Sequence, residues 1–126
     1  MGLRGVALLL ACTIAASCDR GPCRSADKAL VDRLHIRGPI LGASVVEYSE
    51  EARYIAVSVD YNVGVWATNL DPAGGMSGVI IPANGRARQV SRVGLDTTLP
   101  TSHPVAVAAA DADGVYNAAV CEAQRS

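Results

Sequence analysis

Among the side chains of this sequence, the four cysteines can take part in the widest range of reactions. Cys12, Cys18 and Cys23 lie close together near the start of the chain, and Cys121 lies near its end. A thiol can form a disulfide, act as a nucleophile or be modified, and the outcome depends on its surroundings and its partners. The role of each cysteine therefore depends on the segment that contains it.

Other residue types show no pattern that indicates catalysis or metal binding. His35 and His103 have no companion at the spacing of metal ligands, so no metal site is expected. No pair of nucleophile and base, and no pair of carboxylates, stands out along the chain. We therefore expect a protein that is not an enzyme and that needs no cofactor.

Three arginines near the middle of the chain form a candidate binding patch. Arg86, Arg88 and Arg92 would share one face of a strand and could contact phospholipid headgroups or another anionic surface. The alternative, which we favour, is a solvated edge strand whose charges prevent pairing with another sheet.

The first 17 residues have the composition of an export signal. Residues 1–4 contain one positive charge, Arg4, and residues 5–17 form an uncharged, mostly apolar run. That run is shorter than the roughly 18 apolar residues that a membrane-spanning helix needs. It is typical of the apolar region of a secretory signal peptide.

The end of this segment, Ala15-Ala16-Ser17-Cys18, resembles the lipobox of bacterial lipoproteins. The resemblance is confined to residues 1–18 and implies a signal peptide over 1–17, which is cleaved before a Cys18 that carries diacylglycerol. Leu9-Leu10-Ala11-Cys12 is a rival site with a shorter apolar region, and simple secretion after cleavage behind Ser17 is a further alternative. In enteric lipoproteins, an aspartate after the acylated cysteine favours the inner membrane, and Asp19 stands there; the outer membrane is the alternative.

The number of cysteines separates these alternatives. Acylation of Cys18 removes Cys12 with the signal and leaves two thiols, Cys23 and Cys121, which can pair. Both rival readings leave three thiols, and an odd cysteine is a liability in an exported protein. We predict a structural Cys23–Cys121 disulfide, since the separation of 98 positions gives no sign of a redox pair.

Residues 18–24 would then be a short lipidated tether and residues 25–126 a single globular domain. Residues 18–126 carry 10 basic and 12 acidic residues, a net charge of −2. This balance gives no reason to expect a nucleic-acid partner.

The domain begins with a helical pattern. Ser25 can cap a helix over residues 26–36, and Gly38-Pro39 can end it. Its apolar stripe consists of Ala26, Ala29, Leu30 and Leu34.

Alternation of apolar residues dominates the next part of the chain. Every odd position from 55 to 67 is apolar, which predicts strands. A three-residue loop at 60–62 would pair Val59 with Val63 and preserve the alternation; one long strand kinked at Gly64 is the alternative. Trp66 lies on the even face, where we expect it to pack beneath the N-terminal helix.

Further strands are expected over residues 41–48, 79–81, 86–93, 105–110 and 115–121. A short helix is the alternative for 86–93, and a turn at Asp113-Gly114 would join the last two strands. The predicted fold is α+β, with one N-terminal helix on an antiparallel sheet of six or seven short strands. A mainly-β sandwich is the alternative.

These features together predict a membrane-anchored envelope lipoprotein that faces the periplasm and carries a small binding or structural module. Its partners would be the membrane, through the lipid, and an envelope protein; no small-molecule substrate is evident. A periplasmic inhibitor of a lysozyme or protease is the alternative, with the loop over residues 71–75 as the inserted contact.

Overall fold

Residues 23–70, 78–91 and 99–125 are described by the computed structural model, and within them the chain forms one antiparallel sheet with four helices. The strands lie side by side in chain order, and they are β1 Cys23–Ser25, β2 Ile40–Glu47, β3 Arg53–Val59, β4 Asn62–Thr68 and β5 Ile80–Pro82. The helices are α1 Lys28–Asp32, α2 Gly85–Val90, α3 Pro104–Ala110 and α4 Ala112–Arg125.

The central hairpin turns through two residues, Asp60 and Tyr61, and pairs Val59 with Asn62. The expected three-residue loop, which would pair Val59 with Val63, is therefore wrong, and so is the single long strand. Asp60 adopts a positive φ of 61°, which aspartate tolerates better than most residues. Odd positions of β3 consequently lie on one face of the sheet, and odd positions of β4 lie on the other.

Both faces of the sheet are buried. The apolar odd positions of β3 and β4 therefore all stay buried, although they lie on opposite faces. On the first face, Ile55, Val57 and Val59 of β3 pack with Trp66 of β4. This face is covered by α1, the turn after it and α2, through Leu30, Val31, Leu34, Ala87 and Val90. Trp66 is fully buried in this cluster, as expected from its position on the even face.

The second face of the sheet is covered by the C-terminal part of the chain. Tyr54 and Ala56 of β3 pack there with Val65 and Ala67 of β4. The residues that cover them from α3 and α4 are Val105, Ala108, Val115 and Ala118. The sheet therefore lies between two helical layers, and the mainly-β alternative is wrong.

The C-terminal strands predicted over 105–110 and 115–121 are helices α3 and α4. Pro104 occupies the first turn of α3, and the His103 Nδ1 accepts a hydrogen bond from the Val105 amide at 3.1 Å. The segment is rich in alanine, which has the highest helix propensity of all residues. At the expected hairpin turn, Asp111 Oδ1 instead accepts a bond from the Gly114 amide at 3.0 Å, in the first turn of α4.

Two other predicted elements also differ from the structure. The N-terminal helix is limited to Lys28–Asp32 and follows β1, so it is not the first element, nor the only helix. Residues 85–90 form α2 in place of the favoured strand, because the Asn84 side chain accepts a hydrogen bond from the Ala87 amide and caps a helix. The mixed α/β class and the antiparallel sheet are confirmed, with five strands in the described residues.

The predicted disulfide between Cys23 and Cys121 is present, with 6.2 Å between the two Cα atoms. It connects the edge strand β1 to α4, which lies on the second face. The bond closes a loop across a sequence separation of 98 residues and thus restrains almost the whole described domain.

Replacing both cysteines, as Cys23→Ser with Cys121→Ser, should lower the free energy of unfolding by about 2 to 4 kcal/mol. The physical reason is that the unfolded chain regains the freedom that a long closed loop removes. Urea denaturation followed by circular dichroism measures the change. The wild-type protein in reductant is the control and should match the double variant; equal midpoints for oxidised wild type and double variant would contradict the prediction.

Candidate functional site

A buried carboxyl group holds α4 on the sheet. Glu122 is 1% exposed, and it accepts hydrogen bonds from two serine hydroxyls on neighbouring strands. Ser44 Oγ of β2 donates to Oε1 at 2.7 Å, and Ser58 Oγ of β3 donates to Oε2 at 2.6 Å. Buried polar groups are stable when they are paired in this way, so the cluster sets the position of α4 along the strands.

The sequence analysis missed Glu122 as a structural residue. The sequence pattern that indicates a buried Glu122 becomes visible when residues 112–125 are treated as a helix. Val115, Ala118 and Glu122 then fall on one face, and all three are buried. A carboxyl group on an apolar stripe of this kind needs polar partners, which are here the two serines.

A β-bulge lies beside this cluster, in the first part of β2. Ile40 pairs with Val59, and Gly42 pairs with the preceding residue Ser58, so Leu41 is the extra residue. A bulge changes the direction of a side chain and twists the strand locally. Leu41 is 58% exposed and lines a cleft on the side of the sheet where α4 lies.

We call this cleft the hairpin-end cleft, because it lies where the β3–β4 hairpin turns. It has a volume of about 190 Å³ and is lined by Leu41, Ser58, Asp60, Tyr61, Val63 and Ala123. Ser58 connects the cleft to the buried Glu122 through its hydroxyl group. Of the described residues that line it, Asp60 alone has a charged side chain.

Exposed apolar side chains are concentrated at this end of the sheet. Within the described ranges, three of the five large apolar residues with high exposure are Ile40, Leu41 and Tyr61, at 46%, 58% and 90%. Ile40 pairs with Val59, next to the turn that carries Tyr61. A group of exposed apolar residues is typical of an interaction surface, and tyrosine is enriched at such surfaces.

A second groove lies between the C-terminal helices and the segment before α2. Its volume is about 430 Å³, and it is lined mostly by alanines of α3 and α4, with Val115, Tyr116 and Asn84. The Asn84 amide group is engaged by the backbone: its Oδ1 accepts from the Val65 amide at 3.1 Å, and its Nδ2 donates to the Val63 carbonyl at 3.1 Å. The lining side chains in the described part of the chain are all uncharged.

Two tyrosines and an aspartate form a hydrogen-bonded cluster under the α3–α4 junction. Tyr48 Oη donates to Asp111 Oδ2 at 2.8 Å, and Tyr54 Oη donates to the Ala108 carbonyl at 2.7 Å. The bond to Asp111 raises the pKa of Tyr48, and burial raises the pKa of Tyr54 strongly. The bond from the Gly114 amide and then that from Tyr48 lower the pKa of Asp111. Both phenols stay protonated and act as donors, so the cluster is structural.

The predicted arginine patch is not assembled in the expected way. Arg86 and Arg88 lie on α2, about 200° apart around the helix axis, and do not share a strand face. Arg86 Nη2 donates to the Val59 carbonyl at 2.9 Å, whereas Arg88 is exposed. Arg92 lies outside the described residues.

Several other predicted features also lie outside the described residues. These are Cys18 with the signal peptide over 1–17, and the loop over 71–75 that was considered as an inhibitory contact. In the part of the chain that is described, no group of three or more metal-ligating side chains comes together. No helix among the same residues is long and apolar enough to cross a membrane.

Comparison of the chain with protein-family models, with curated proteins and with solved structures finds no match in any of the three. The function is therefore inferred from the residues of this chain.

Replacing Glu122 with alanine should lower the free energy of unfolding by about 3 kcal/mol, because two buried hydroxyls lose the acceptor of their hydrogen bonds. Glu122→Gln should cost less, since its amide group can still bond both hydroxyls. Chemical denaturation measures both changes. Gln124→Ala, at an exposed position of the same helix, is the control and should change stability by less than about 0.5 kcal/mol. Equal stability of Glu122→Ala and wild type would contradict the role of this cluster.

The lowered pKa of Asp111 predicts a specific dependence of stability on pH. A carboxyl group whose pKa is lower in the folded state stabilises the protein above its ordinary value of 3.8, and this contribution is lost as the pH falls below that value. Wild type should therefore exceed Asp111→Asn in stability at neutral pH, and the difference should narrow below 3.8. Urea denaturation over a pH series measures it. A difference that stays constant to the lowest pH at which the protein folds would refute the prediction.

Proposed function

We propose that this chain is a bacterial envelope lipoprotein whose domain is a non-enzymatic binding module. In this proposal, residues 1–17 are removed and Cys18 carries the lipid. The tether expected over residues 18–24 is shortened to 18–22, because Cys23 and Arg24 belong to β1, and the domain therefore begins at Cys23. The only non-protein group is the covalent lipid. The protein faces the periplasm, and Asp19 favours the inner membrane over the outer one.

The Cys23–Cys121 disulfide is the observation that carries this proposal. Because these two cysteines bond to each other, only Cys12 and Cys18 are left to assign. Cleavage before Cys18 removes Cys12 and leaves no unpaired thiol in the mature protein. A structural disulfide also fits an oxidising compartment outside the cytoplasm, which is where a lipoprotein signal sends its protein.

The position of Cys23 gives the domain an orientation relative to the membrane. Cys23 pairs with Val46, at one end of β2, whereas Ile40, beside the hairpin-end cleft, is at the other. At about 3.3 Å per residue, six residues of strand separate these ends by about 20 Å. The chain from Cys18 to Cys23 spans about 17 Å at most, so the tether holds the Cys23 end near the bilayer.

The hairpin-end cleft then lies on the side of the domain that is remote from the membrane. An exposed tyrosine and an exposed leucine at that end are available to a protein in the periplasm or to the outer part of a membrane protein. This arrangement supports a module that binds an envelope protein at its membrane-distal end while the lipid holds it in place.

Labelling with a radioactive fatty acid in a bacterial host tests the anchor. Wild type and Cys12→Ser should incorporate the label equally, whereas Cys18→Ser should lose it, because only Cys18 forms the thioether to the lipid. Mass spectrometry of the N-terminal peptide should show an acylated cysteine followed by Asp19. Label that persists in Cys18→Ser, or that disappears in Cys12→Ser, would refute the assignment of Cys18.

A further inference from the structure

We propose that the hairpin-end cleft receives one basic side chain, an arginine or a lysine, from a protein partner. This inference rests on the proposed function in one respect, namely that the domain binds a protein at its membrane-distal end. The lining residues carry the rest of the argument, since they combine one carboxylate, one aromatic ring and two apolar walls.

The chemistry of the lining matches both parts of a basic side chain. Lysine and arginine have a long apolar stem and a charged head, and the stem packs well on apolar surface. Leu41 and Val63 can contact the stem, while Asp60 can pair with the head. Tyr61 supplies a ring that attracts a cation to its face. An apolar ligand would make no use of the Asp60 carboxylate.

The size of the cleft also fits one side chain. A volume of about 190 Å³ lies below the roughly 300 to 1,000 Å³ of sites that enclose a small molecule, and it suits a single side chain. A whole helix or strand would need a much longer groove. The cleft is therefore suited to one anchoring residue within a larger contact that includes the exposed Tyr61.

The sign of the charge is set by Asp60, and among the residues that the structure describes no basic side chain lines the cleft. Arg86 contacts the hairpin next to its turn, but it lies on α2, at the opposite face of the sheet. Its guanidinium donates to the Val59 carbonyl and to Gln89 Oε1, at 2.9 Å and 3.3 Å. No ion pair involving Asp60 is found within the described ranges.

The walls of the cleft are held in place before any partner arrives. The Asp60 amide donates to the Pro39 carbonyl at 3.0 Å, which connects the turn to the chain before β2. The bulge at Leu41 and the two-residue turn restrict the remaining freedom of both segments. A site that is formed in advance loses little entropy on binding. The negative Asp60 also disfavours contact with an anionic bilayer, so a protein is the occupant that the charge favours.

A titration with small probes tests the proposal on the mature, acylated protein in neutral detergent micelles. The probe is N-acetyl-arginine methylamide, and the matched probe is its neutral isostere N-acetyl-citrulline methylamide. Amide chemical shifts measured by nuclear magnetic resonance report where each probe binds. We expect saturable shifts at Leu41, Ser58 and Val63, with binding of the arginine probe about tenfold tighter than that of the citrulline probe.

Two variants separate the role of the Asp60 charge from the effect of lowering the negative charge of the protein elsewhere. Asp60→Asn should weaken binding of the arginine probe about tenfold, and asparagine also tolerates the positive φ at this position, so the turn is retained. Glu50→Gln, at an exposed position in the β2–β3 connection, is the matched control and should leave binding unchanged.

Each other outcome overturns the proposal. Equal affinity for both probes would show that the cleft does not select a positive charge. An absence of saturable shifts would show that the cleft binds neither probe. Shifts confined to the second groove, between the C-terminal helices and the segment before α2, would place the binding site in that groove. Preferential binding of anionic vesicles through Tyr61 would identify a membrane contact. Mass spectrometry of the same sample reports acylation at Cys18 separately, so a failure of the cleft and a failure of the lipid anchor are distinguishable.

Discussion

The β3–β4 hairpin turns through only Asp60 and Tyr61, and such a turn places residues of opposite parity opposite each other. The apolar odd residues of the two strands therefore lie on opposite faces, with Val57 on one and Val65 on the other. Neither face can be left in water, because each carries a continuous apolar surface. The sheet consequently needs a helical layer on each side, and the second layer must come from the C-terminal part of the chain.

That second layer is attached at two consecutive residues of α4. Cys121 is bonded to Cys23 of β1, and Glu122 accepts hydrogen bonds from Ser44 of β2 and Ser58 of β3. The covalent bond limits how far the helix can separate from the sheet, and the hydrogen bonds fix its position along the strands. Together they connect α4 to three adjacent strands, which compensates for a core built mainly from valine and alanine.

The same geometry gives the two ends of the sheet different roles in the proposed function. Cys23, next to the tether, lies at one end, and the hairpin-end cleft lies at the other. An anchor at one end leaves the exposed Leu41 and Tyr61 free to meet a partner away from the bilayer. The cleft itself depends on the two local irregularities of the sheet, the bulge at Leu41 and the tight turn, since regular strands would form neither wall.

The sequence by itself determined the features that depend on counting or on local periodicity. Cysteine number predicted the Cys23–Cys121 pair, alternation predicted strands from residue 55 to residue 67, and Trp66 was expected to pack beneath a helix. Tertiary structure alone decided the turn register, the helical state of residues 104–125 and the burial of Glu122. The physical reason is that the valines of residues 104–125 favour a strand whereas their alanines favour a helix, so local preference is divided. The choice is made by the surface against which they pack, here a sheet whose second face had to be covered.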